Sequence, residues 1–121
     1  NTEITDVDGI VSISSNQFTL GAGNYLIKWS ADGYAVGKHV SVLQNITANT
    51  TDSTGTAEYA DNNTFGQNRS IGLVRISLTG STAYEIQHHC NVTKTINGFG
   101  VAHDISGYNS IYTIVEIYKE A

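Results

Sequence analysis

At 121 residues and 13.0 kDa the chain holds enough material for one compact domain and not two. Its single cysteine excludes an internal disulfide framework, and no apolar run approaches the roughly 18 residues of a membrane-spanning helix. The net charge of −5, with six basic residues and no two of them adjacent, excludes the clustered cations that grip nucleic acid or an anionic membrane.

Residues 1–8 read as an N-terminal arm without a signal-peptide pattern, and Asp6-Val7-Asp8-Gly9 as a turn too short for a helical calcium loop. A chain that starts at Asn rather than Met is expected to be the C-terminal piece of something longer. Strand signals then recur. Residues 10–13 and 17–20 alternate around a Ser14-Ser15-Asn16 turn, and Gly21-Ala22-Gly23-Asn24 makes a second turn. Residues 25–31 form the next strand, with Tyr25, Ile27 and Trp29 on one face, and Asp32-Gly33 is expected to break it before a strand over 36–45. Residues 48–68 read mostly as polar loop, with a short strand over 56–60. Two long strands follow, 69–78 and 83–92, then a short one over 99–102 and a last one over 110–119.

Helices find no support, because Thr, Ser, Asn and Gly interrupt every window of a dozen residues. Eight to ten strands on short turns, without a sequence repeat, predict a single all-β antiparallel sandwich or jelly roll spanning 1–121. No proline is present to blunt an edge strand. The last strand places Ile111, Val115 and Ile117 on one face and Tyr112, Ile114 and Tyr118 on the other. One face enters the core; the other needs a partner surface, or else the strand is central and covered by loops.

The sequence Tyr84-Glu85-Ile86-Gln87-His88-His89-Cys90 invites a metal or thiol reading. Strand parity divides it. Tyr84, Ile86, His88 and Cys90 are assigned to the core face, and Glu85, Gln87 and His89 to solvent. Cys90 is thus expected as a buried small hydrophobe and His88 as a hydrogen-bonded core or interface histidine. Two ligands on one face are too few for a closed zinc site, and a third from His39 or His103 depends on the fold. A metal- or thiol-dependent enzyme at His88 and Cys90 is the weaker alternative, so no catalytic residue, metal or cofactor is assigned.

Binding candidates are the loop aromatics Tyr34, Tyr59, Phe65 and Tyr108, each near Asn, Asp or Ser that can hydrogen-bond a sugar or a protein surface. The plain alternative for each is a plug at the sandwich end. Five glycosylation sequons, at Asn45, Asn49, Asn62, Asn68 and Asn91, fall in turns and on outward strand positions.

Residues 18–31 resemble the F-x-L-x-A-G-x-Y-x-I opening of C1q/TNF-like jelly rolls, and more closely that of bacteriophage tail-fibre and receptor-binding domains of this fold. The blocks that follow in register are residues 37–47 (G-x-H-x-x-x-L-x-N-x-T), 55–59 (G-T-x-E-Y), 84–90 and 98–102 (G-F-G-V-A), with 115–120 as a closing strand. His89 departs from the pattern, which more often has a basic residue there. The resemblance implies a homotrimeric, non-enzymatic tip on a virion that binds a bacterial surface glycan or protein, or a purely structural trimerisation module. His88, Tyr112, Ile114 and Tyr118 are then the candidates for the oligomer seam.

Overall fold

A computed structural model describes residues 2–121; Asn1, the start of the expected arm, lies outside the described residues. The described chain has no helix and nine strands. These are β1 (Val11–Ser14), β2 (Gln17–Leu20), β3 (Gly23–Tyr34), β4 (Gly37–Asn45), β5 (Thr50–Thr54), β6 (Glu58–Ala60), β7 (Gln67–Leu78), β8 (Thr82–Cys90) and β9 (Ile114–Lys119). All pairings are antiparallel. The larger sheet runs β1-β2-β8-β4-β5, with β6 on another stretch of β4, and the smaller runs β7-β3-β9. This all-β arrangement of two sheets about one core is consistent with a β-sandwich.

The core follows from alternation. Tyr25, Ile27 and Trp29 of β3 pack with Phe18 and Leu20 of β2, Leu43 of β4 and Tyr84 of β8. Burying each of the aliphatic members contributes about 1.5–3 kcal/mol. Trp29 is the hub. Its indole lies over Gly72, directly opposite on β7, where a Cβ would fall 1.9 Å from the ring. Its Nε1–H donates to Ser41 Oγ at 2.9 Å; Ser41 Oγ donates to Ser70 Oγ at 2.8 Å, and Ser70 Oγ to the Thr56 carbonyl at 2.7 Å. That hydroxyl chain ties β4 of the larger sheet to β7 of the smaller and leaves no buried polar atom without a partner among the described residues.

Three sequence expectations need correction. Asp32-Gly33 does not break β3, which continues to Tyr34 in register with Asn68 and Gln67. The Asp32 carboxylate is nearly buried but meets Arg69 across the strand at 2.9 Å, and Gly33 is needed because the His39 ring fills the space of a Cβ. The turn falls instead at Ala35, at a φ of 52°. Residues 50–54, read as polar loop, form β5, since an outer strand is held by backbone ladder bonds to β4 and needs no apolar face. Residues 99–102 form no strand. The Ser15-Asn16 turn is as expected, both residues at positive φ in the manner of a tight hairpin.

Strand β9 is an edge strand, not a central one. Val115 and Ile117 pack on the core, while Ile114 and Tyr118 face out. Ile111, expected with the inner set, precedes the strand and is exposed. On the outer face of the smaller sheet Ile114 lies across Ser30 from Ile71, and Glu116 across Lys28 from Leu73. Ile71 is 56 % and Leu73 61 % exposed, so among the described residues this face carries large apolar side chains left open to solvent.

Candidate functional site

The β3–β4 hairpin tip gathers two distant loops. Tyr34 N–H donates to the Gly98 carbonyl at 2.8 Å and Ala35 N–H to the Gly66 carbonyl at 2.9 Å. Beyond the tip, Val92 N–H donates to Val36, and the Asn91 side chain accepts from Lys38 N–H at 2.8 Å. The 61–66 turn and the loop after β8 are thereby fixed to one end of the molecule. Asp61 holds its own turn by accepting from the Asn63 amide at 2.8 Å.

At this end Tyr34 and Phe65 lie nearly parallel, centroids 6.2 Å apart and planes 19° from each other. The Lys94 ammonium stands 5.0 Å from the Phe65 centroid and 5.9 Å from that of Tyr34. Phe65 is 57 % exposed and has a φ of 57°, a left-handed conformation that a bulky residue adopts at a cost of about 1–3 kcal/mol. Of the four aromatic candidates the structure brings Tyr34 and Phe65 together. Tyr59 is exposed in an adjoining shallow depression shared with Lys38, Glu58, His89 and Cys90. Tyr108 is exposed beyond the Ile105 turn, and among the described residues no ring contact joins it to the others. Sequence reading missed Lys94, because nothing local distinguishes a lone lysine in a turn-rich loop.

Beneath this surface lies a histidine pair. Asn68 Nδ2 donates to the Tyr59 carbonyl at 2.8 Å, so its Oδ1 faces His39 Nε2, 2.6 Å away, and can only accept. His39 therefore carries its proton on Nε2 and accepts at Nδ1 from His88 Nε2–H, at 2.7 Å. Phe99 stacks on His88 at 5.0 Å. Burial, then the neighbouring His39 and His89, push the His88 pKa down to about 4. Two imidazoles locked in one hydrogen bond do not offer both lone pairs to a metal. Among the described residues no three His, Cys, Asp or Glu side chains converge as ligands.

Cys90 is exposed, against the parity expectation of a buried thiol. It does pair opposite the buried His39, but it is the last residue of β8, and the chain beyond gives it no cover. Among the described residues its thiol is hydrogen-bonded to no base. His88 faces His39 and Phe99 within the chain rather than an outer seam. Tyr112 packs beside Gly100, and its carbonyl accepts from Arg69 at 2.8 Å. Among the sequons, Asn45 is buried, its amide donating to Asp52 at 3.0 Å.

The molecule is thus an all-β protein of two antiparallel sheets with a loop-borne aromatic and cationic cluster at one end. Compared with family models, with curated proteins and with solved structures, the chain matches none.

Proposed function

We propose that this chain is the receptor-binding tip domain of a bacteriophage tail fibre, a non-enzymatic homotrimer of C1q/TNF-like jelly rolls that attaches the virion to a bacterial surface glycan or protein. The observation that carries the reading is the convergence of Tyr34, Phe65 and Lys94 from three separate segments onto one exposed end. The hydrogen bonds of the hairpin tip make that end a stiff platform, so little ordering cost attends binding. The ordered sequence blocks resembling phage fibre domains agree with it.

Trimer formation is supported by the outer face of the smaller sheet. Ile71, Leu73, Ile114 and Tyr118 are exposed there around the Lys28–Glu116 ion pair, and the long outer strand β7 has no proline to deter pairing. Three copies would multiply weak loop contacts through avidity. The same apolar face also favours a second reading, a structural module that assembles a fibre without touching a host. Adsorption of the isolated domain to susceptible bacteria separates the two, since the tip reading requires saturable binding and the structural reading none. Light scattering that shows a monomer at micromolar concentration would contradict the trimer in both.

A further inference from the structure

The adhesion reading leaves the chemistry of the receptor open, and the distribution of charge narrows it. Six basic side chains serve a chain of net charge −5. Arg69 pairs with Asp32 at 2.9 Å, Arg75 with Glu120 at 2.7 Å and Lys28 with Glu116 at 3.9 Å, while Lys119 lies 5.7 Å from the Tyr25 ring. Like Lys119, Lys38 and Lys94 have no carboxylate within 4 Å among the described residues. Both lie at the hairpin end, Lys38 in the Tyr59 depression and Lys94 at the Tyr34–Phe65 pair.

We propose that Tyr34, Phe65 and Lys94 form the docking platform for a carboxylate-bearing saccharide, a uronic or sialic acid unit of a bacterial surface polysaccharide. This rests on the adhesion reading above. A pyranose has an apolar C–H face that covers an aromatic ring at a carbon–carbon separation of about 3.5–4 Å. The Lys94 ammonium lies over both rings, and Phe65 still leaves 57 % of its surface to solvent. A sugar stacked on the exposed part of Phe65 presents its acid to an ammonium that has no carboxylate partner among the described residues. The backbone below is rigid: Gly98 N–H donates to the Lys94 carbonyl at 3.2 Å, closing the turn that sets the lysine. The acid of the 61–66 turn, Asp61, accepts from the amides of Asn63 and Thr64.

The strain at Phe65 points the same way. Glycine adopts a φ of 57° without penalty, so a phenylalanine there is held against local preference, with most of its ring in solvent. The Tyr34 stack and the Lys94 contact offset part of that cost, and a ring offered to a ligand accounts for the rest.

The test titrates the ¹⁵N-labelled chain with trigalacturonate and a sialic acid trimer, with neutral galactotriose and hexaglutamate as comparisons. An acidic trisaccharide is expected to bind about tenfold more tightly than galactotriose and to move the amides of residues 34, 65 and 94. Lys94→Gln should cost about tenfold in that binding and remove its salt dependence, the size of one charge-assisted contact. Phe65→Gly should abolish binding while raising the urea midpoint, a pairing that a purely structural Phe65 would not give. Equal affinity for neutral and acidic sugars, no binding of either acid, or tighter binding of hexaglutamate overturns the proposal. Adsorption to bacteria is measured in parallel. Adsorption that survives Lys94→Gln and Phe65→Gly overturns this site and leaves the adhesion reading intact; acid-sugar binding without adsorption does the reverse.

Discussion

Strands β4 and β8 meet a polar cluster at each end of one face, the first completed by Thr50 and Asp52 of β5, and the two are built on opposite electrostatic plans. At the closed end Tyr84 O–H donates to Asp52 at 2.9 Å and Asn45 Nδ2 to the same carboxylate at 3.0 Å. Thr50 adds a third bond at 2.8 Å. Burial works to raise the Asp52 pKa, but these hydrogen bonds from Asn45, Thr50 and Tyr84 outweigh it and hold the carboxyl below its ordinary value. At the open end Asn68, His39 and His88 form a chain of hydrogen bonds with no carboxylate in it. A short connection from Asn45 to Thr50 covers the first end; the second meets the 61–66 turn and the long segment between β8 and β9, where the exposed aromatics sit. The difference teaches where each kind of cluster is tolerated. An ionised anchor stays near water with three donors, while the partly buried His88 favours the fold as long as it stays neutral.

The largest expected effect removes the support both ends share. Gly72→Ala drives a methyl into the Trp29 indole and should cost about 3 kcal/mol or more in urea unfolding, with amide protection lost at both ends together. Loss at one end alone would show that they are not joined through Trp29.

The next effect belongs to the open end. The His88 pKa falls from 6.5 in the unfolded chain to about 4 in the fold, so between those values the unfolded state binds more protons. Stability is therefore complete above pH 6.5 and is lost as the pH falls toward 4, by about 2–3 kcal/mol for this group. Unfolding of wild type and His88→Gln across pH 7.5 to 4.5 isolates that share; parallel curves would contradict it. At the closed end Tyr84→Phe should cost about 1–2 kcal/mol with no special pH dependence in that window. The smallest effect is at the rim. Cys90→Ser should change stability by less than about 0.5 kcal/mol, and the native thiol should react promptly with a disulfide reagent.

Much of the larger design is legible in the sequence. The alternation of Tyr25, Ile27 and Trp29 assigns the buried face of β3, and the apolar runs of 69–78 and 83–92 mark β7 and β8. The loop aromatics are recognisable as candidates from their polar neighbours. Their grouping is not, since Tyr34, Phe65 and Lys94 are separated by some thirty residues at each step and meet only through the backbone bonds of the hairpin tip. The histidine pair is hidden for the same reason, His39 and His88 lying 49 positions apart.

The sequence by itself determined most of the long strands, which side of a strand each residue occupies, and that charge is sparse, because alternation and turn chemistry act over a few bonds. Only the tertiary structure decided what covers each face. Parity puts Cys90 on the same side as Tyr84, yet Tyr84 lies in the core and Cys90 in solvent, because one has the opposing sheet above it and the other is the last residue of its strand. Asp32-Gly33 reads as a turn until Arg69 arrives from across the sheet to neutralise the acid and His39 occupies the space that glycine leaves. A residue's direction is a local property of the backbone; its surroundings are set by segments far away in the chain.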